Sequence, residues 1–130
     1  MREDGALRGM VGLGVQEARS AELGYWLAPE ARGRGLMHRA VHLVLDFAFD
    51  PDGLDLERVS WQAYVGNLAS LAVAWRCGFR LEGQVRGHAL QRGRRRDAWV
   101  GTLLRGDPRG PVSAWPGSPL LAGTLPGEGG

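Results

Sequence analysis

The stretch AELGYWLAPEARGRGLM, residues 21–37, decides how the chain folds. Its first seven residues are typical of a strand, and Pro29 ends that strand because proline cannot donate to a sheet ladder. In the following turn, glycines and arginines let the backbone pass close to a bound oxyanion, and a helix beginning at Leu36 offers unpaired N–H groups there. The stretch therefore predicts a phosphate-binding turn, with a glycine-rich turn that binds no ligand as the alternative.

The composition predicts one domain. The chain has 130 residues, its 16 basic residues are all arginine, and its formal net charge is +2,. This balance argues against a general nucleic-acid binder, although five arginines lie between Arg86 and Arg96,. A single cysteine, Cys77, excludes a disulfide framework, no apolar run reaches the length of a membrane span, and the start MRED lacks the apolar core of a signal peptide,. We expect a cytoplasmic protein that does not enter membranes.

Hydrophobic patterns place further elements around the opening stretch. Alternation over residues 7–15 predicts a strand, preceded by a hairpin turn at Glu3-Asp4-Gly5,. Residues 36–49 predict a helix that ends at the breaker Asp50-Pro51-Asp52-Gly53,. We expect its core-facing stripe to contain Leu36, Ala40, Leu43, Val44 and Phe47, opposite His38, Arg39, His42 and Asp46,.

The second half of the chain predicts one more crossover and a hairpin. Residues 58–64 predict a strand parallel to the first, because a strand, a helix and a strand of this size form a right-handed crossover. Asn67 is the expected N-cap of a helix over residues 68–77 that Gly78 closes,. Residues 79–88 and 97–104 predict a terminal hairpin joined by the basic turn LQRGRRR,. Residues 1–105 then form the domain, and residues 106–130 a disordered Gly- and Pro-rich tail,.

These elements predict an α/β (α+β) fold, with a mixed, mostly antiparallel sheet, a central parallel strand pair and helices packed on it. Ligands of such sheets bind beyond the carboxyl ends of the parallel strands, which places Leu27, the glycine-rich turn and Asn67 at one end. One elongated ligand can then contact both the turn and Asn67. The turn lacks the lysine of a nucleotide-binding P-loop and the three-glycine spacing of a dinucleotide site,.

The combination of AELGYWLAPEARGRGLM, NLASLAVAWRCGF and LEGQVRG closely resembles the GNAT superfamily of acetyl-CoA-dependent N-acetyltransferases. The elements GYWL, ARGRG, GFRLEG and RRRDAW resemble its RimJ/RimL-like branch, which acetylates the N-termini of ribosomal proteins. The resemblance covers residues 7–104 and implies an acyl-CoA N-acyltransferase fold. Family members carry a first strand and two helices before the point where this chain starts, so the resemblance implies a partial, N-terminally truncated domain.

The resemblance also implies which residues bind acetyl-CoA. The pyrophosphate-binding pattern of the family maps onto Arg32, Gly35 and position 37, and its pantetheine-binding asparagine maps onto Asn67. The coenzyme-binding set expected from this mapping and from the turn around it is Leu27, Arg32, Gly33, Arg34, Gly35, Leu36, Met37, His38 and Asn67. Two positions depart from the family pattern, because Met37 replaces a glycine or alanine and Ala74 replaces the tyrosine that serves many members as general acid.

The implied reaction is direct transfer of the acetyl group to a primary amine, on a peptide N-terminus such as that of a ribosomal protein or on a small molecule. The amine must lose a proton and the leaving thiolate must gain one. Glu22, on the strand before the turn, is the candidate base. The alternative is that Glu22 is an edge carboxylate without a catalytic role. Ser70 is the candidate acid, with a helix-start hydroxyl as the alternative. Leu27 offers backbone groups to the pantetheine and the thioester oxygen.

The sequence also contains a candidate metal pair, two rival functions and a candidate edge for pairing. His38 and His42 have the spacing of a metal pair, but no H-E-x-x-H motif completes a site, so we expect a solvated face and no metal,. The basic turn gives a rival, an RNA- or acidic-partner-binding module without catalysis. A coenzyme A-binding but inactive fragment is the second rival. An incomplete sheet edge near Leu7 also predicts pairing with a second copy of the chain.

Overall fold

A computed structural model describes residues 2–3, 6–7, 9–27 and 35–112 of the chain. The strands are β1 (Arg2–Glu3), β2 (Ala6–Leu7), β3 (Gly9–Gln16), β4 (Ser20–Leu27), β5 (Arg58–Tyr64), β6 (Arg80–Gln91) and β7 (Arg94–Leu104), and the helices are α1 (Leu36–Phe49) and α2 (Leu68–Arg76). β1 and β2 pair antiparallel on either side of the predicted hairpin turn, whose residues 4 and 5 lie outside the described residues.

The main sheet has five strands in the order β3-β4-β5-β7-β6, and only its β4–β5 pair is parallel. This confirms the predicted mixed sheet with one parallel pair at its centre. Crossovers between parallel strands are right-handed, so the helices that follow β4 and β5 lie on the same face of the sheet. Inward-facing residues of the two central strands are buried there beneath both helices; they include Ala21, Leu23, Val59 and Trp61.

The bounds of α1 are as predicted, but the predicted core-facing stripe is wrong. Its buried residues are Met37, Val41, Leu45, Ala48 and Phe49. Leu43 and Phe47 instead keep 71% and 55% of their surface exposed. The helix is apolar on more than one face, so its periodicity alone did not determine which face packs on the sheet.

The terminal hairpin is longer than predicted, because the arginine-rich segment lies mostly within its strands. A two-residue turn at Arg92 and Gly93 has positive φ angles of 52° and 76°, as in a type I′ hairpin turn,. Arg95 donates to the Gly87 carbonyl oxygen, and Arg96 donates to the Gln91 side chain while lying over the Tyr64 ring. These two arginines are therefore engaged within the sheet.

The chain continues as packed structure past the predicted end of the domain. Gly78 has a φ of 95°, and a Cβ there would lie 2.3 Å from the Pro108 carbonyl oxygen. Arg109 pairs with Asp46 at 2.7 Å and lies over the Phe49 ring. Residues 106–112 thus pack against the ends of both helices, which places the predicted start of the tail too early. Residues 113–130 lie outside the described residues.

None of the helices in the described part of the chain is long and apolar enough to cross a membrane. β3 forms one edge of the five-stranded sheet. Pairing of a second copy at this end of the sheet stays a prediction.

Candidate active site

The central parallel strands separate at their carboxyl ends. Ser20–Leu23 of β4 pairs with Arg58–Trp61 of β5, whereas both strands continue for at least three more residues. Past Leu23 the two strands diverge, and the backbone groups along the gap no longer form hydrogen bonds between β4 and β5. An extended ligand that carries its own amide groups fits such an opening, because it can bond to the freed strand edge.

The N-terminus of α1 faces this opening. Gly35 precedes the helix in a left-handed conformation, with a φ of 71°, and no side chain caps the helix. The Arg39 amide donates to the Gly35 carbonyl oxygen at 3.1 Å, so the amides of the three residues between them have no acceptor within the helix,. A helix start of this kind favours a phosphate group. Arg32, Gly33 and Arg34, the other predicted members of this set, lie outside the described residues.

Met37 does not crowd the turn, although its size departs from the family pattern. Its side chain is 3% exposed and belongs to the hydrophobic core. Because the side chain points inward, the helix start is left to the backbone amides and to Gly35. Position 37 thus retains the one group, its N–H, that the predicted phosphate contact requires.

The N-terminus of α2 lies on the other side of the opening. As predicted, Asn67 caps this helix, and its side-chain oxygen accepts from the Ser70 amide at 3.2 Å. Trp61 donates from Nε1 to the Ser70 hydroxyl oxygen at 3.0 Å, and Tyr25 donates to the Ser70 backbone oxygen at 2.6 Å. The Ser70 hydroxyl still has its own proton to donate.

A cavity of about 310 Å³ lies between these two helix starts. Six of the predicted site residues line it: Gly35, Leu36, Met37, His38, Asn67 and Ser70. Leu27 ends β4, where its backbone pairs with Gly9, and its side chain lies outside the described part. The pKa of His38 is lowered, first by burial and then by the nearby charges of Arg76 and His42.

Glu22 is not brought to this cavity. It is exposed and lines a separate open groove on the other face of the sheet, together with Gly12, Gly24 and Trp26. Side chains alternate between faces along a strand, so Glu22 and Tyr25 point to opposite sides of β4. The two predicted catalytic side chains, Glu22 and Ser70, therefore lie on opposite faces, near the point where the strands separate.

Sequence reasoning missed Tyr25, Trp26 and Arg76 as cavity-lining residues. Burial raises the pKa of the Tyr25 hydroxyl well above its ordinary value, and a contact with Ser70 acts in the opposite direction. Tyr25 is therefore a neutral proton donor at ordinary pH. The alternation in GYWL places Tyr25 on the same face as Leu23, but it does not reveal that α2 covers that face.

A family model described as Acetyltransferase (GNAT) domain matches residues 1–80. A Bacillus subtilis (strain 168) protein whose name provisionally describes it as a ribosomal N-acetyltransferase, YdaF, is 39% identical over 104 residues, which are 78% of this chain and 56% of that protein. A crystal structure of a "Probable acetyltransferase" is 40% identical, with a TM-score of 0.70 over 78% of this chain and 57% of that one.

Mycobacterium smegmatis RimJ in complex with CoA-disulfide is 29% identical to this chain, with a TM-score of 0.70 over 79% of this chain and 50% of RimJ. The chain thus spans about half the length of the relatives it matches, between 50% and 57%.

Proposed function

Because the chain belongs to the GNAT acetyltransferase family, we propose that it binds acetyl-CoA in the cavity between α1 and α2 and transfers the acetyl group to a primary amine. The observation that carries this proposal is the cavity beside the separating strands, which is lined by the N-terminal turn of α1 and by α2 from its Asn67 cap to Arg76. A relative of the same fold is a complex with CoA-disulfide, which supports a ligand of the coenzyme A type.

The backbone of the cavity suits the phosphate end of this ligand. The free amides at the start of α1 and the left-handed Gly35 present N–H groups and no side chain to a pyrophosphate,. The side-chain oxygen of Asn67 accepts a hydrogen bond from the Ser70 amide, so its NH₂ group is left to donate to a carbonyl of the pantetheine arm,. The arm would then lie along the unpaired edge of β4 toward Leu27.

The two proton transfers of the proposed reaction take place on opposite faces of the sheet. Acetyl-CoA supplies an activated thioester whose sulfur leaves as a thiolate when the amine nitrogen bonds to the carbonyl carbon. Glu22, on the open face, accepts the proton that the amine loses, directly or through a water molecule,. Ser70, on the helix face, donates its hydroxyl hydrogen to the leaving sulfur as it takes a proton from a water molecule, so that the sulfur leaves as a thiol and the hydroxyl is restored, and the bond from Trp61 holds this hydroxyl in place. Amine and coenzyme thus approach the gap from opposite sides.

The open groove beside Glu22 is the proposed acceptor site. Its glycines, among them Gly12, Gly14 and Gly24, leave the sheet surface flat, and Met10 and Trp26 flank it with exposed apolar groups. This surface suits an extended peptide N-terminus, and the name of YdaF supports a ribosomal protein as its source. With such an acceptor, we propose that the enzyme acts in the cytoplasm.

Two measurements test the proposal. Release of free thiol from acetyl-CoA is followed with peptides that start with Ala or Ser, and with a small polyamine in place of the peptide. Calorimetry with acetyl-CoA and with RNA is run at low and high salt. We expect peptide-dependent thiol release and coenzyme binding that survives high salt. Coenzyme binding without turnover would identify an inactive coenzyme A-binding domain, whereas salt-sensitive RNA binding alone would overturn the proposal.

A further inference from the structure

Three side chains with metal-binding atoms meet where α1 packs against the C-terminal end of α2. They are His38 and His42 of α1 and Cys77, the C-cap residue that follows α2, and their ligand atoms all lie within 4.8 Å of one another. The two imidazole rings meet edge to face, with centroids 4.6 Å apart. Both histidines are half-buried, and Cys77 is a free cysteine that is fully buried. The histidines do not form the solvated face that their sequence positions predicted.

We propose that His38, His42 and Cys77 form a binding site for Zn²⁺ that ties α1 to α2. Two imidazole nitrogens and one thiolate are a ligand set that zinc prefers, and zinc sites of this type keep a fourth position for water. The cavity lined by His38 gives access to that position. The spacing of four residues between the histidines puts both on one side of α1, as a shared metal requires.

The geometry needs only a small adjustment. Zn–N bonds of about 2.0–2.1 Å and Zn–S bonds of about 2.3 Å hold tetrahedral ligand atoms roughly 3.3–3.6 Å apart. The three atoms must therefore close by about 1 Å, which rotations about side-chain bonds supply. The His38 ring lies beside the Arg76 backbone. A contact of this kind commonly holds the second nitrogen of a metal-binding histidine.

The charges around the cluster are compatible with a bound dication. Binding releases one proton from the Cys77 thiol, so two neutral imidazoles, a thiolate and Zn²⁺ leave a net charge of +1. The guanidinium groups of Arg76 and Arg109 lie near the Cys77 thiol. Arg109 is itself paired with Asp46 at 2.7 Å, which reduces its repulsion of a second cation.

A Co²⁺ titration of the untagged protein tests the site without reference to acetyl transfer. Co²⁺ is the probe because a tetrahedral cobalt thiolate absorbs visible and near-ultraviolet light, and Zn²⁺ should then displace it and bleach the signal. We expect one Co²⁺ per chain with a sulfur-to-cobalt charge-transfer band. Saturation with Zn²⁺ should also raise the melting temperature by several degrees, because the ion binds the folded state.

Two variants and one matched control decide the outcome. Cys77→Ser should abolish the charge-transfer band, and His42→Asn should weaken Co²⁺ binding by tenfold or more. His88→Asn replaces the third histidine of the chain, which is exposed on β6. It should leave the charge-transfer band and the Co²⁺ affinity unchanged. If Cys77→Ser does not fold, the half-buried His42→Asn carries the test alone. Absence of the band in the parent protein, or equal binding by His42→Asn and His88→Asn, would overturn the proposal.

Discussion

The hydroxyl of Tyr25 donates a 2.6 Å hydrogen bond to the backbone oxygen of Ser70. On the same residue, the Ser70 hydroxyl accepts from Trp61 at 3.0 Å. One central strand thus holds the backbone of the first turn of α2, and the other holds a side chain of that turn. The two bonds thus tie β4 and β5 to the same turn of α2, at the point where the strands separate.

Replacing Tyr25 by Phe should destabilise the domain by about 1 kcal/mol, because the ring still packs while the hydrogen bond is lost. Urea unfolding at neutral pH measures the difference. Tyr64→Phe is the matched control, since Tyr64 is the only other tyrosine in the chain. Equal losses in the two variants would show that the Tyr25 hydroxyl contributes nothing specific.

The same hydroxyl predicts a loss of stability at alkaline pH. Burial, followed by smaller contributions, raises the pKa of folded Tyr25 above the unfolded value of 10.0. The stabilising contribution is therefore complete below about pH 10 and is lost as the pH rises further, by up to about 1.4 kcal/mol per pH unit. Urea midpoints from pH 8 to 11 should fall faster for the parent than for Tyr25→Phe. Parallel pH profiles would contradict this.

Gly35→Asp should weaken coenzyme A binding by more than tenfold. The change adds a side chain to a residue with a φ of 71° and a negative charge where the pyrophosphate is proposed to bind. Two unit charges about 4 Å apart repel by about 4 kcal/mol at an effective dielectric constant of 20, and tenfold corresponds to about 1.4 kcal/mol.

Gly93→Asp is the control for this change, because Gly93 also has a positive φ, of 76°, but lies in the β6–β7 turn. It should cost similar stability and leave coenzyme binding intact. Calorimetry with coenzyme A measures both variants, and unchanged affinity in Gly35→Asp would reject the cavity as the phosphate site.

Asp55 should make the domain less stable in acid. A hydrogen bond from Arg105, and after it the charge of Arg19, lowers the pKa of this carboxyl below its usual 3.8. Its contribution is present above the unfolded pKa and is lost as the pH falls below about 4 through the folded value. Asp55→Asn should therefore be less stable than the parent at pH 7, and the gap should narrow near pH 3.

Asn is a matched substitute at this position, because residue 55 has a φ of 54° and Asn adopts that conformation readily,. Asp52→Asn, in the exposed turn before it, controls for the loss of one charge. A gap between Asp55→Asn and the parent that stays constant with pH would contradict the assignment to this carboxylate.

Glu22→Gln should lower the rate of acetyl transfer by about 100-fold or more without changing coenzyme A affinity. The amide cannot accept the amine proton, and a positioned general base contributes rate factors of this size. Glu82→Gln, on exposed β6, is the control and should retain full activity. Thiol release and calorimetry together separate the two effects. An active Glu22→Gln variant would remove Glu22 from the mechanism.

Local patterns determined much of this protein. Hydrophobic periodicity, capping residues and chain-breaking residues are local signals, and they predicted four features of the fold. These are the bounds of α1, the strand β5, the Asn67 cap and the parallel pair. Local signals also located the glycine-rich turn and the start of α2 along the chain, because the unpaired backbone groups of a helix N-terminus depend only on nearby residues.

Only the tertiary structure decided which of these groups meet. Periodicity does not say which side of an apolar helix faces the sheet, so Leu43 and Phe47 are exposed while Met37 is buried. Alternation along β4 does not say which face the helices cover, and that choice separates Glu22 from Ser70. Cys77 joins His38 and His42 because two crossovers on one face bring α1 against the end of α2, a contact between residues far apart in the chain.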